Sequence, residues 1–180
     1  MMGTILMIIA GLFAAIILVG IFIPTKYRFS KQTIIQADKK IVFNNIDDFE
    51  QWQKWSAWST ENDTKIKITY GDKHAGVGGM MFWKGSKMGK GEMEIHQSDP
   101  YKEIKMSVVF NRGVFKMEFR FLIEEEKNAT KITWFVSGRT RRGGFAKILG
   151  RLLPRWMGKD METSLKILKH YSEGNLKITE

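Results

Sequence analysis

Apolar residues follow three different spacings along this 180-residue chain, and each spacing predicts a different element. The first is a run without a polar side chain, Ile5 to Ile23, 19 residues long and ended by Pro24. As a helix it reaches about 28 Å, close to the roughly 30 Å hydrocarbon core of a bilayer. The run predicts one membrane span, with residues 1–25 as an N-terminal anchor and residues 26–180 as the domain it carries. A cleaved signal peptide fits less well. Met1 to Thr4 carries no side-chain charge, and the run closes on Ile-Phe-Ile-Pro instead of a small-x-small site.

The second spacing has a period of two. Lys26 to Ala37 alternates around Tyr27, Phe29, Ile34 and Ile35, which predicts a strand. Asp38 is placed to cap a helical segment through Val42, Phe43, Ile46 and Phe49, leading to Trp52, Trp55 and Trp58. From Lys65 onward the alternation returns in six segments: Lys65 to Tyr70, Met80 to Lys84, Gly89 to His96, Ile104 to Phe110, Val114 to Ile123 and Lys131 to Ser137. Gly71-Asp72, Gly76 to Gly79, Gly85-Ser86, Asp99-Pro100, Asn111 to Gly113 and Lys127-Asn128 separate them, as hairpin turns require. Phe115, Met117, Phe119, Phe121 and Ile123 alternate with mostly charged neighbours, so one face of the sheet is apolar. Ile66, Ile68, Tyr70, Met81, Trp83, Met93, Ile95, Ile104, Met106, Val108, Phe110, Ile132, Trp134 and Val136 share that face by parity.

The third spacing is helical. From Pro154 to Glu173, Met157, Met161, Leu165 and Leu168 form a stripe, with Pro154 at an early helical position and Gly174 as a stop. The fold class is therefore α+β: a curled antiparallel sheet wrapped around a long C-terminal helix.

Charge sharpens the picture. The formal charge of +10 sits entirely on residues 26–180, because the first 25 residues hold no ionisable side chain. Such a balance favours anionic surfaces, and on a chain already tethered to a bilayer it favours phospholipid over nucleic acid. Lys26, Arg28 and Lys31 follow the apolar run directly, which predicts a single-pass membrane protein with its C-terminal domain in the cytoplasm. The absence of cysteine agrees with a reducing compartment. Gly11 and Gly20 do not have the spacing of a Gly-x-x-x-Gly dimer face, and the oligomeric state stays open.

Catalytic chemistry is thin. The chain has no cysteine, no Gly-x-Ser-x-Gly elbow, no His-x-x-x-His pair and no phosphate-binding glycine loop. His74, His96 and His170 lie far apart; His96 shares the polar strand face with Glu92 and Glu94. The sequence thus predicts no catalytic residue, no metal site and no cofactor. Were there acid–base chemistry, Tyr70 or a carboxylate inside an apolar pocket would carry it.

The segment GRTRRGGFAKILGRLLPRW sets Arg139, Arg141, Arg142, Lys147, Arg151 and Arg155 among large apolar residues. It reads either as a solvated loop and helix start or as a membrane-surface patch. In the second reading each cation contributes about 1 kcal/mol near anionic lipid, and Gly143-Gly144 acts as a hinge.

From Pro24 to about Glu173 the chain resembles the polyketide cyclase/dehydrase branch of the START and Bet v 1-like superfamily. The segments IIQADKKIVFNNIDDFEQWQKWSAW, GVGGMMFW, GKGEMEI, TKITWFVSG and the closing amphipathic helix carry the resemblance. Where relatives often open the first helix with Ala-Pro, this chain has Ala37-Asp38. The resemblance implies a helix-grip fold with a cavity between sheet and C-terminal helix for a hydrophobic small molecule or lipid. The expected lining is Tyr70, Met81, Trp83, Met93, Met106, Met117, Phe119, Trp134, Trp156, Met157, Met161 and Leu165. All are core candidates too, but the abundance of methionine among them, Met81, Met93, Met106, Met117, Met157 and Met161, suits a cavity that adapts to varied ligands. The tryptophans of Trp52-x-x-Trp55-x-x-Trp58 are read as closing one end of the barrel. The resulting expectation is a membrane-anchored binding module; the alternative is a cyclase or dehydratase acting on a hydrophobic polyketide-like substrate.

Overall fold

The computed structural model describes residues 3–11, 15, 25–60, 63–86, 89–110, 113, 115–140 and 144–174. Residues 3–11 form helix α1. Then follow β1 (Lys26–Ile35), α2 (Lys39–Asp47), α3 (Trp52–Trp55), β2 (Lys67–Tyr70), β3 (Met80–Lys84), β4 (Lys90–Asp99), β5 (Glu103–Phe110), β6 (Phe115–Glu126), β7 (Ala129–Arg139) and α4 (Gly144–Ser172).

The seven strands make one antiparallel sheet in the order β1-β7-β6-β5-β4-β3-β2. Register brings apolar residues together across the strands, with Phe121 opposite Trp134, Phe119 opposite both Met106 and Val136, and Met93 opposite Val108. Hairpin turns set that register. Lys127 and Asn128 both have positive φ, the two-residue turn whose twist matches the strands it joins. The helices α2, α3 and α4 cover the apolar face, and α4 runs beside the edge strand β1. Lys169 Nζ donates to the Ile34 carbonyl at 2.7 Å, and Glu173 accepts the Gln36 amide at 2.7 Å. A Lys31–Glu162 ion pair lies between them and the start of β1.

Asp38 caps α2 as expected, accepting the Lys40 amide at 2.7 Å. The long helix differs. It begins at Gly144, so Pro154 lies inside it and not at its first turn. A proline there removes the hydrogen bond to residue 150, and Gly150 presents no side chain on that turn; the amphipathic pattern carries the helix through.

The expected membrane span is corrected. Among the described residues no helix is long and apolar enough to cross a membrane. Residues 12–14 and 16–24, which hold most of the apolar run, lie outside the described residues, as do Arg141, Arg142 and Gly143. The expected single-pass membrane location with a cytoplasmic domain is corrected on the same ground.

At the far end of the sheet, the loop before β3 is clamped to the end of α2. The Phe49 amide donates to the His74 carbonyl at 3.0 Å, Gly76 to the Asp47 carbonyl at 2.9 Å, and His74 Nδ1 lies 2.9 Å from Asp48 Oδ1. That carboxylate holds the imidazole above the ordinary histidine range, its hydrogen bond being the largest cause. The pair therefore stabilises the fold fully below the unfolded histidine pKa, and the contribution fades as pH rises through the folded value. In an NMR titration His74 is expected to titrate above an ordinary histidine, and Asp48→Asn to return it; an unshifted wild-type His74 contradicts the clamp.

A second prediction concerns Gly91. A methyl group there would lie 2.1 Å from Cζ2 of Trp83, whose ring crosses the strand at that point. Gly91→Ala is expected to cost about 2–3 kcal/mol in chemical denaturation through overpacking. A loss below half that would mean that the Trp83 ring moves aside freely.

Candidate functional site

The concave face of the sheet is filled by aromatic rings. Trp52, Trp55, Phe119, Phe121 and Trp134 are all buried, with Trp134 stacked on Phe121 at 4.7 Å and edge-on to Phe119 at 5.2 Å. Trp52 and Trp55 meet at 4.7 Å, and both touch Trp134 edge-on. Trp58 stacks on Phe119 at 5.7 Å and donates from Nε1 to Asp160 of α4 at 3.2 Å. The Ala57 amide adds a bond to Ser164 Oγ at 2.9 Å. The three tryptophans thus tie the first helices to the sheet and, through Trp58, to α4.

Beside this block, toward strands β2 to β5, a small cavity of about 10 Å³ is lined by Trp58, Ile66, Ile68, Met81, Trp83, Met93 and Phe110. That is room for about one water molecule. Three of the sequence-predicted residues, Met81, Trp83 and Met93, come together at it. Met106, Met117, Phe119, Trp134, Met157, Met161 and Leu165 are buried in the surrounding core instead of lining it. Tyr70 is half-buried at the end of β2, its ring 6.1 Å from that of His74. Trp156 is 54% exposed on α4, because it sits one position off the buried stripe of Met157 and Met161. Ile66, Ile68 and Phe110 belonged to the same parity set as Met81, so alternation marked them as inward. Trp58 could not be placed from periodicity, since it sits in a loop.

Acidic and basic groups cluster elsewhere. Asp48, Glu50 and His74 bring one ligand-type atom each within 4.8 Å of one another. Asp48 Oδ1 already accepts from the Glu50 amide at 2.9 Å as well as facing His74, so the cluster acts as the loop clamp described above. Burial, then Glu50 and Asp48, push the Tyr70 phenol up. Asp47 is also raised, chiefly by burial, and accepts from Ser98 Oγ at 2.7 Å. Asp63 is buried, accepting from Ser86 Oγ at 2.9 Å and the Lys65 amide at 3.2 Å, which fixes the loop before β2. His96 lies on the convex face, 3.6 Å from Glu118. Among the described residues, four buried polar atoms have no partner: Trp134 Nε1, Tyr27 Oη, and both side-chain amide atoms of Gln53.

Of the predicted surface cations, Arg139 and Arg151 are exposed, Lys147 is half-buried, and Arg141 and Arg142 fall outside the described residues.

This arrangement has many structural counterparts. The chain is similar to Ara h 8.0201 (14% identity, TM-score 0.63, covering 83% of this chain and 99% of that one). It is similar to the di-domain ARO/CYC StfQ from the steffimycin biosynthetic pathway (7% identity, TM-score 0.64, 83% and 52%). A third likeness is to the Aha1 dimer from Colwellia psychrerythraea (17% identity, TM-score 0.56, 84% and 99%). At such identities these likenesses bear on the fold alone, which is the helix-grip arrangement. Among curated proteins no sequence matches. The family described as polyketide cyclase / dehydrase and lipid transport matches residues 26–173, and the chain belongs to that family.

Proposed function

We propose that the domain is a binding module for a hydrophobic small molecule or lipid, taken up on the concave face of the sheet at the cavity beside Trp58, whose lining comes from β2 to β5 and the segments before β2 and not from α4 as the resemblance implied. The observation that carries this reading is the lining itself: all seven residues are apolar or aromatic, and none is a carboxylate, histidine, lysine or tyrosine. Such a wall can hold an apolar molecule but has no group to move a proton. Membership in a family described by both cyclisation and lipid transport agrees with an apolar ligand. A cyclase-type reaction is the competing reading, and it would have to draw on Tyr70 and His74, outside this lining.

A cavity of about 10 Å³ must enlarge before it accepts a ligand. Met81 and Met93 are flexible, and Trp58 is held to α4 by one side-chain hydrogen bond, so these three side chains supply the movement. Added to the full-length protein, 1-octanol or anthrone is expected to shift the Met81 and Met93 methyl signals in NMR saturably. Trp58→Ala is expected to tighten that binding severalfold while costing about 2 kcal/mol of stability, less than a fully buried tryptophan would. If neither probe moves those methyls in wild type or in Trp58→Ala, the reading fails.

A further inference from the structure

A second, larger cavity of about 430 Å³ lies where the start of β1, the end of β7 and the middle of α4 meet. Lys26, Tyr27, Arg28, Thr140, Gly150, Arg151 and Pro154 line it, and it shares no residue with the cavity beside Trp58. Its shape depends on two glycines. A side chain at Gly150 would run into the Thr140 methyl at 2.2 Å, so α4 approaches Thr140 only because residue 150 is glycine. A side chain at Gly138 would meet the Tyr27 hydroxyl at 2.3 Å; the ring is thereby seated flat over β7 as a wall.

Charge is segregated here. Residues 26–35, 129–139 and 144–159 contain nine lysines and arginines and no aspartate or glutamate. Among them Lys31 pairs with Glu162, Lys131 with Glu124, and Arg28 lies over the Phe135 ring at 5.2 Å. Lys26, Arg139, Arg151 and Arg155 are exposed and take part in no ion pair found among the described residues. Thr140 adds no free hydroxyl, since Oγ1 donates to the Thr25 carbonyl at 3.3 Å. The cavity therefore combines a cationic rim with an apolar wall made of the Tyr27 and Pro154 rings.

From this combination we infer that the β1–β7–α4 cavity binds the anionic end, carboxylate or phosphate, of an amphiphilic molecule. Arg151 and Lys26 face its charge and Tyr27 and Pro154 its first carbons. An arginine fork suits both acid groups, and lysine adds a point charge. The site stands independently of the cavity beside Trp58.

Three probes separate the possibilities on the full-length protein at low salt: octyl phosphate, 1-octanol and inorganic phosphate. Octyl phosphate is expected to bind at least tenfold more tightly than either, shifting the Gly150 and Thr140 amides. The double substitution K26Q/R151Q, at two exposed positions, is expected to bring octyl phosphate down to the level of octanol with an unchanged circular dichroism spectrum. Equal binding of octyl phosphate and octanol, unaffected by that substitution, overturns the inference. If inorganic phosphate binds as tightly as octyl phosphate, the site reads a free anion and the amphiphile is excluded. Shifts confined to the Met81 and Met93 methyls would place the ligand beside Trp58, supporting that cavity while rejecting this one.

Discussion

The last turn of α2 ends in carbonyls that no helical N–H can reach, and the indoles of Trp52 and Trp55 supply the missing donors. Trp52 Nε1 bonds to the Ile46 carbonyl and Trp55 Nε1 to the Asn45 carbonyl, each at 2.8 Å. Leaving such groups buried and unpaired costs about 1–3 kcal/mol each. Because both rings are fixed by these bonds, their remaining faces can only turn toward the sheet, where they meet Trp134 and Phe121. The three-residue spacing of the tryptophans then brings Trp58 over Phe119 and within reach of Asp160. One short stretch thus links α2, the sheet and α4, and the concave face closes around it.

That closure shapes what the interior can do. Aromatic rings occupy the space that a ligand would need, so binding requires side chains to move and is weakened by the cost of the closed state. The parts best suited to move are at the β2–β5 side, where methionines line the cavity and Trp58 has a single polar tether. Trp134 stays fixed, buried among five rings, with an indole N–H that no protein atom accepts. The fold tolerates that orphan at the centre of its packing, and a molecule with an acceptor that reached it would recover the lost bond.

Alternation made the sheet legible, because register, turn chemistry and burial all agreed along β3 to β7. Three things were not legible. The start of α4 lay ten residues before Pro154, since a proline is read as a boundary and the amphipathic pattern on its N-terminal side is broken by glycines. The size of the interior cavity depends on how large rings interlock, which no periodicity encodes; hence residues called inward by parity divide into a few that line a void and many that fill it. The apolar N-terminal run has a length that suits a bilayer, whereas among the described residues no helix is long and apolar enough to cross one. The carboxylate–imidazole clamp was also hidden, because Asp48 and His74 are separated by 26 positions and meet only through the fold.

The distribution of charge follows the same architecture. Strands β4, β5 and β6 carry eight of the chain's 19 acidic residues, and several are answered locally on the convex face, as in Arg120 with Glu103 and Lys131 with Glu124. β1, β7 and the first half of α4 contain no aspartate or glutamate of their own, and although Lys31 and Lys131 are answered by Glu162 and Glu124 from elsewhere, the +10 net charge is concentrated at one edge of the molecule. Edge strand β1 is already covered by α4, which removes any need for those lysines and arginines as guards against strand pairing. An edge with this excess of cations repels itself and lowers stability; its remaining physical consequence is to draw anions toward the β1–β7–α4 cavity, more strongly at low ionic strength than at high.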